Sequence, residues 1–222
     1  MLRRDFSFGL AAAGTAAGTM ATLASAPLAQ AQAARNYQEG TDYLALDKRV
    51  ATEAAAGKVE VVEFFWYSCS HCNAFEPQLE AWIKKQPTDV SVRRVPVSFQ
   101  PSFEPQQRLY YTLEALNKVD ALHGKVFYAI HVEKQALNTT AAISTWAEKQ
   151  GLDKTKFEAM YNSFGVASKA RKATQLQNEF KVDGVPALGI AGRFYTSGAL
   201  AQTMQRALEV VDFLVAQSRK SA

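Results

Sequence analysis

Lys58 to Tyr67 reads Lys-Val-Glu-Val-Val-Glu-Phe-Phe-Trp-Tyr, a β-branched and aromatic run that predicts a strand. Alternation puts Val59, Val61, Glu63 and Phe65 on one face and Val62, Phe64 and Trp66 on the other. Both faces are apolar, so the strand is expected to be central and covered on both sides. A helical pattern follows, with Phe75, Leu79, Trp82 and Ile83 on its inner face and Pro77 expected to kink it. Val90 to Phe99 alternates as a second strand, and Pro96 within it points to an edge or an irregularity. Tyr43 to Leu46 reads as a short edge strand, preceded by a polar, loose leader over residues 35–42.

From about Pro101 to Asn178 the period changes to that of helices. Leu109, Leu113 and Leu116 recur at helical spacing, as do Val126, Phe127 and Ile130. Ile143 and Trp146 mark a further helix that Gly151 is placed to stop. Phe157, Met160 and Tyr161 mark a short helix, and Val166 to Phe180 a longer one. Strands return at Pro186–Ile190 and Arg193–Thr196, around a turn at Ala191-Gly192. Ser197 is expected to cap a last helix carrying Leu200, Met204, Leu208, Val211 and Leu214. Strand–helix segments flanking an all-helical middle give an α/β fold with a helical domain inserted: 34–100 and 180–222 form the α/β domain, 101–179 the insertion.

The first 33 residues change what is left to fold. Arg3 and Arg4 precede a weakly apolar stretch to about Leu28, and Ala31-Gln32-Ala33 fits a small-x-small cleavage site. A removed signal peptide accounts for all three features, whereas a membrane anchor would need about 20 strongly apolar residues. The arginine pair followed by Phe6 is also compatible with a twin-arginine signal, which exports folded proteins. Cleavage after Ala33 leaves 189 residues and lowers the net charge from +4 to +3. Export, and the lack of any basic stripe with interleaved aromatics, argue against a nucleic-acid partner.

Only two cysteines are present, Cys69 and Cys72, in a Cys-Ser-His-Cys run at the junction of the strand and the first helix. That count excludes a multiply stapled scaffold and a four-cysteine metal site. At a helix N-terminus, unpaired N–H groups and the positive end of the dipole stabilise a thiolate at Cys69, and His71 adds a positive charge or a donor. Cys72, one turn in, is expected to be buried and to release mixed disulfides by attacking Cys69. Three alternatives compete. A plain stabilising disulfide gains little from so short a loop. A zinc site would need two further ligands, such as His123 and His131. Two unpaired core cysteines suit an oxidising compartment poorly.

Glu63 is the odd residue of the strand. Wherever it points it should be at least partly buried, six residues before Cys69. It is read as a proton donor or acceptor for Cys72, in preference to a simple pairing with Arg94 on the neighbouring strand. Val185-Pro186 opens a later strand. From spacing alone its peptide bond is expected to be trans, since only about 5–6% of such bonds are cis.

Glu63-Phe-Phe-Trp-Tyr-Ser-Cys69-Ser-His-Cys72, followed by Gly184-Val185-Pro186-Ala187, resembles the DsbA family of periplasmic thiol:disulfide oxidoreductases. The resemblance spans nearly all of the chain after the signal. It implies a thioredoxin fold with an inserted all-helical domain, in a monomer located in the periplasm. The implied activity is oxidation of reduced, unfolded exported polypeptides, with reoxidation by a quinone-linked inner-membrane partner of the DsbB type. It implies no cofactor beyond a redox-active Cys69–Cys72 disulfide, and no metal. Residue by residue, Cys69 is the attacking sulfur, Cys72 the resolving one, His71 the stabiliser of the Cys69 thiolate and Glu63 the buried acid. Pro186 is the family's cis-proline, while Val185 and Ser70 border the substrate groove. Ser70-His71 stands where Pro-His is commoner in the family, and Arg94 where a lysine is frequent. Two other readings remain open: a reductase or isomerase of the same superfamily, and a non-catalytic peptide- or metal-binding module.

Overall fold

The computed structural model describes residues 37–220, so the signal-peptide reading of residues 1–33 lies outside the described residues. A five-stranded mixed sheet has the order β1-β5-β4-β2-β3. Its strands are β1 (Leu44–Ala45), β2 (Val59–Phe65), β3 (Val90–Pro96), β4 (Ala187–Ile190) and β5 (Phe194–Ser197). β2 and β3 are parallel, joined through α1 (Ser70–Ile83); β4 runs antiparallel to both β2 and β5, and β1 is the short antiparallel edge strand. Pro96 ends β3 at the other edge of the sheet, where a missing N–H costs no ladder bond.

Both faces of β2 are covered. Val61 packs with Phe75 and Leu79 of α1 and with Leu208, Val211 and Leu214 of α7 (Met204–Arg219). Trp82 Nε1 donates to Asp212 Oδ1 at 2.9 Å, tying these two helices together. Val62 and Phe64 point the other way, and the Phe64 ring meets Phe180 at 5.2 Å between centroids. Phe180 also explains Gly189 on β4: a Cβ there would lie 2.4 Å from the Phe180 ring. α1 continues through Pro77 to Ile83, so the proline does not end it.

Between β3 and β4 the chain is helical throughout: a 3₁₀ turn at Pro101–Phe103, then α2 (Glu104–Ala115), α3 (Val119–His131), α4 (Thr140–Lys149), α5 (Lys154–Tyr161) and α6 (Phe164–Glu179). Thr139, Asp153 and Ser163 cap α4, α5 and α6 through their side-chain oxygens. The core of this layer includes Leu109, Leu113, Phe127, Ile143, Trp146 and Phe157. Among the described residues, no helix is long and apolar enough to cross a membrane.

Three expectations are corrected. The segment before β1 is not loose from Tyr37 onward. Tyr37 packs on Phe213, and Asp42 is buried with a carboxylate oxygen 2.6 Å from Arg206 Nη2. Those partners lie more than 160 residues away, so local composition could not show them. The last helix is capped by Thr203, whose hydroxyl accepts from Arg206 N at 3.0 Å, while Ser197 is the end of β5. Ser197 Oγ instead accepts from Leu200 N at 3.4 Å, which turns the chain before the helix begins. β2 also stops at Phe65, leaving Trp66 stacked on Phe103 at 3.8 Å.

Candidate active site

Past the end of β2 the chain turns once, with Cys69 N donating to Trp66 O at 3.0 Å, and enters α1. Cys69 is the N-cap, in extended conformation, and its Sγ accepts the backbone N–H of Cys72 at 3.2 Å. Serine or aspartate oxygen ordinarily fills this position; here a sulfur does, so negative charge on it faces first-turn amides and the positive end of the helix dipole. The Cys69 thiol is lowered to about 6. The leading cause is hydrogen bonding from the Cys72 thiol, joined by the amides of Cys72 and His71 and the charge of His71, against partial burial. At neutral pH such a sulfur is mostly thiolate.

Cys72 is the opposite case. It is 0% exposed, and burial pushes its thiol far above the ordinary range, with the hydrogen bond to Cys69 and that neighbour's charge adding to it. Both cysteines are free thiols in this structure. The pair is therefore one accessible, acidic sulfur backed by one inaccessible, weakly acidic sulfur.

The Val185-Pro186 peptide bond is cis, which corrects the expectation drawn from spacing and agrees with the one drawn from resemblance. Nothing in the local sequence marks the bond as one of the minority that are cis. In its thiol form Cys69 Sγ donates to Val185 O at 3.4 Å, which brings the two segments together across 116 residues of chain. A groove of about 480 Å³ opens beside them, lined among others by His71, Val185, Pro186, Tyr195, Ser197 and Met204. Ser70 and His71 are exposed at the start of α1. The wall contributed by residues 197–204 was missed in the sequence, since small and polar loop residues there carry no periodic signal.

Glu63 is 1% exposed, on the α1 side of β2, and is the cross-strand partner of Arg94. Arg94 Nε lies 3.2 Å from Glu63 Oε2, so the pairing weighed against the proton role is present. Yet Arg94 is shared: its Nη2 also contacts Glu76 Oε1 at 2.8 Å and Glu80 Oε1. One guanidinium divided among three carboxylates cannot compensate the burial of the deepest. Glu63 is accordingly held up at about 8, by burial first and the charge of Glu76 second, against the pull of Arg94. Glu76 sits four residues after Cys72, on the same helix face, a spacing that would have flagged it. Burial alone would raise its carboxyl, but His123 and Arg94 more than offset this and hold it below the ordinary range.

His123 and His131, considered above as metal ligands, are both directed at Tyr67. Among the described residues no cluster of three or more His, Cys, Asp or Glu side chains is arranged to hold a metal ion.

A sequence-family model described as a DSBA-like thioredoxin domain matches residues 103–209. The thiol:disulfide interchange protein DsbA of Bordetella parapertussis is 43% identical over 206 residues, covering 92% of this chain and 95% of that protein. Its counterpart from Burkholderia cepacia is 40% identical, covering 86% and 90%. A crystal structure of DsbA from Pseudomonas aeruginosa superposes with a TM-score of 0.79 at 34% identity, over 83% of this chain and 96% of that one. Identity of this order over nearly the full length of both chains, on the same fold and with the cysteine pair at a helix N-terminus, is what common descent leaves behind, and the chain belongs to the DsbA family of thiol:disulfide oxidoreductases.

Proposed function

We propose that the protein donates a Cys69–Cys72 disulfide to reduced exported polypeptides through a mixed disulfide. The observation that carries this reading is the asymmetry of the pair: an accessible sulfur held near 6 and a buried one held far higher. A substrate thiolate attacks Cys69 Sγ, the Sγ–Sγ bond breaks, and Cys72 leaves with the electron pair. Glu63, still largely protonated at neutral pH, gives Cys72 its proton. A second substrate thiolate then attacks the substrate sulfur bonded to Cys69 and expels the Cys69 thiolate, a good leaving group because its conjugate thiol is acidic. Substrate has become a disulfide and the enzyme a dithiol, so two electrons have passed to the enzyme.

In this reading His71 supports the Cys69 thiolate, and Ser70, Val185 and Pro186 border the peptide. The protein works in the periplasm after signal removal, needs no cofactor or metal beyond its own cysteine pair, and is reoxidised by a quinone-linked membrane partner of the DsbB type. The α/β part comprises 34–100 and 180–222, and residues 101–179 are the insertion.

Equilibration against glutathione buffers tests the direction of transfer. A stabilised Cys69 thiolate favours the dithiol, so the protein is expected to remain mostly reduced in buffer oxidising enough to close ordinary structural disulfides. A protein mostly oxidised under those conditions would be working as a reductase instead.

Glu63→Gln keeps the shape of the protonated acid and removes its proton. Oxidation of a reduced peptide at pH 7 is expected to slow by about a hundredfold, the low end of what a positioned acid or base supplies. An unchanged rate would remove Glu63 from the mechanism. Stability is expected to move the other way. Glu63 is raised from 4.5 to about 8, so between those values the folded state binds more protons than the unfolded and stability falls as pH rises. The full cost is present above about pH 8, where the Gln variant should melt at a higher temperature than the parent.

A further inference from the structure

The inserted helices grip the two residues immediately before Cys69. His131, at the end of α3, has its Nε2 2.8 Å from the Tyr67 carbonyl oxygen. A carbonyl only accepts, so Nε2 carries the proton and donates it. The His131 ring lies nearly parallel to Phe127, 6.0 Å between centroids at 29°, which fixes its orientation. Two turns earlier, His123 Nδ1 lies 2.9 Å from Tyr67 Oη, while its Nε2 faces Glu76 Oε2 at 3.5 Å. With a carboxylate before Nε2, the proton belongs there, and Tyr67 donates its hydroxyl hydrogen to Nδ1. Gln106 of α2 accepts from Ser68 N at 3.1 Å and donates to Ser68 Oγ at 2.6 Å.

These bonds matter unequally in the two redox states. In the disulfide, the Sγ–Sγ bond itself tethers Cys69 to α1. In the dithiol that tether is gone, and Cys69, an N-cap with extended rather than helical backbone, keeps its sulfur on the first-turn amides only if the preceding segment is held. We infer that His131 is a positioning residue for the reaction: by holding the Tyr67 carbonyl it keeps Cys69 Sγ on the Cys72 amide in the reduced state. The helical insertion is then part of the redox site, although His131 belongs to a helix that carries neither cysteine. This rests on Cys69 being the reactive sulfur.

Two variants of the full-length mature protein separate the hydrogen bond from the packing. His131→Phe keeps a ring against Phe127 and loses the donor; His131→Gln loses the ring and keeps an N–H able to reach the carbonyl. Removing one net hydrogen bond, worth about 1 kcal/mol, corresponds to about fivefold. In His131→Phe the pH of half-maximal alkylation of Cys69 is expected to rise by about 0.7 unit, and the equilibrium with glutathione to move about fivefold toward the disulfide. The dithiol form should lose more thermal stability than the disulfide form, and His131→Gln should recover most of each change. Alkylation profile and glutathione equilibrium unchanged in His131→Phe, with both redox forms destabilised alike, would make the contact merely structural and overturn the inference. If the unmodified protein is alkylated first at Cys72, or only at the pH of an ordinary thiol, it is the assignment of Cys69 that fails, and the inference falls with it.

Discussion

Cys69→Ala is expected to abolish oxidation of a reduced peptide, leaving only the uncatalysed background. Loss of the one sulfur that substrate bonds to, and on which every later step depends, commonly removes on the order of 10⁴-fold or more of the rate. Two features make substitution by the second cysteine impossible. Without Cys69 there is no disulfide to donate, and Cys72 has no exposed surface on which a substrate sulfur could form one. Its thiol is also pushed far up by burial, so almost none is thiolate at neutral pH. The fold should survive the change, because Cys69 is only partly buried at the start of α1 and the helix keeps its contacts through Phe75, Leu79 and Trp82. Circular dichroism and a melting curve establish that, and the peptide assay then reads chemistry alone. Turnover retained by a folded Cys69→Ala protein would mean that the transfer does not run through this sulfur.

The parts of the fold that could be seen in the sequence are those whose signal is local. β2 announces itself because both faces are apolar, and both are in fact covered, by α1 and α7 on one side and by the Phe180 side on the other. The helical insertion shows because a 3.6-residue period persists from α2 to α6 without a strand. Where the outcome depended on distant partners the sequence was silent. Asp42 looks like a solvated leader residue until Arg206 is brought against it. Ser197 and Thr203 are equally good caps in isolation; the choice is made by β5, which pairs Ser197 with Ala187 and delays the helix by six residues.

The same division runs through the site. Cys69, Ser70, His71 and Cys72 are contiguous, so the strand-to-helix junction that carries them was legible as one unit. Glu63 stood out as a carboxylate on an apolar strand. That it would have one third of a guanidinium rather than a private partner was not legible, because Glu76 and Glu80 reach Arg94 from a different element. His123 and His131 stand eight residues apart, on one side of α3. In the folded chain that side meets Tyr67, and each histidine gives it one ring nitrogen.

Cys72→Ala is expected to turn a transient species into a stable one. Offer the variant a single-cysteine peptide whose sulfur carries a good leaving group: the Cys69 thiolate attacks that sulfur, the leaving group departs with the electron pair, and a peptide–Cys69 disulfide forms. In the parent protein Cys72 lies one helical turn away, its backbone N–H within 3.2 Å of Cys69 Sγ, and can attack Cys69 to expel the peptide. The Cys72 thiol resists ionisation, so this release needs a proton acceptor in the same dry site. Glu63, a buried carboxyl held at about 8, takes the proton in its carboxylate form as Cys72 attacks. Without Cys72 sulfur there is no internal nucleophile, and the single-cysteine peptide supplies no second thiol. The adduct should therefore persist on the order of a thousandfold longer, a modest share of what holding two reacting groups in place contributes. It should appear as a covalent band on a non-reducing gel and disappear with dithiothreitol. Release from Cys72→Ala as fast as from the parent would show that Cys72 is not the resolving sulfur. Release from the parent that is itself slowed in Glu63→Gln, with adduct formation unchanged, would tie the buried acid to the Cys72 step and to no other.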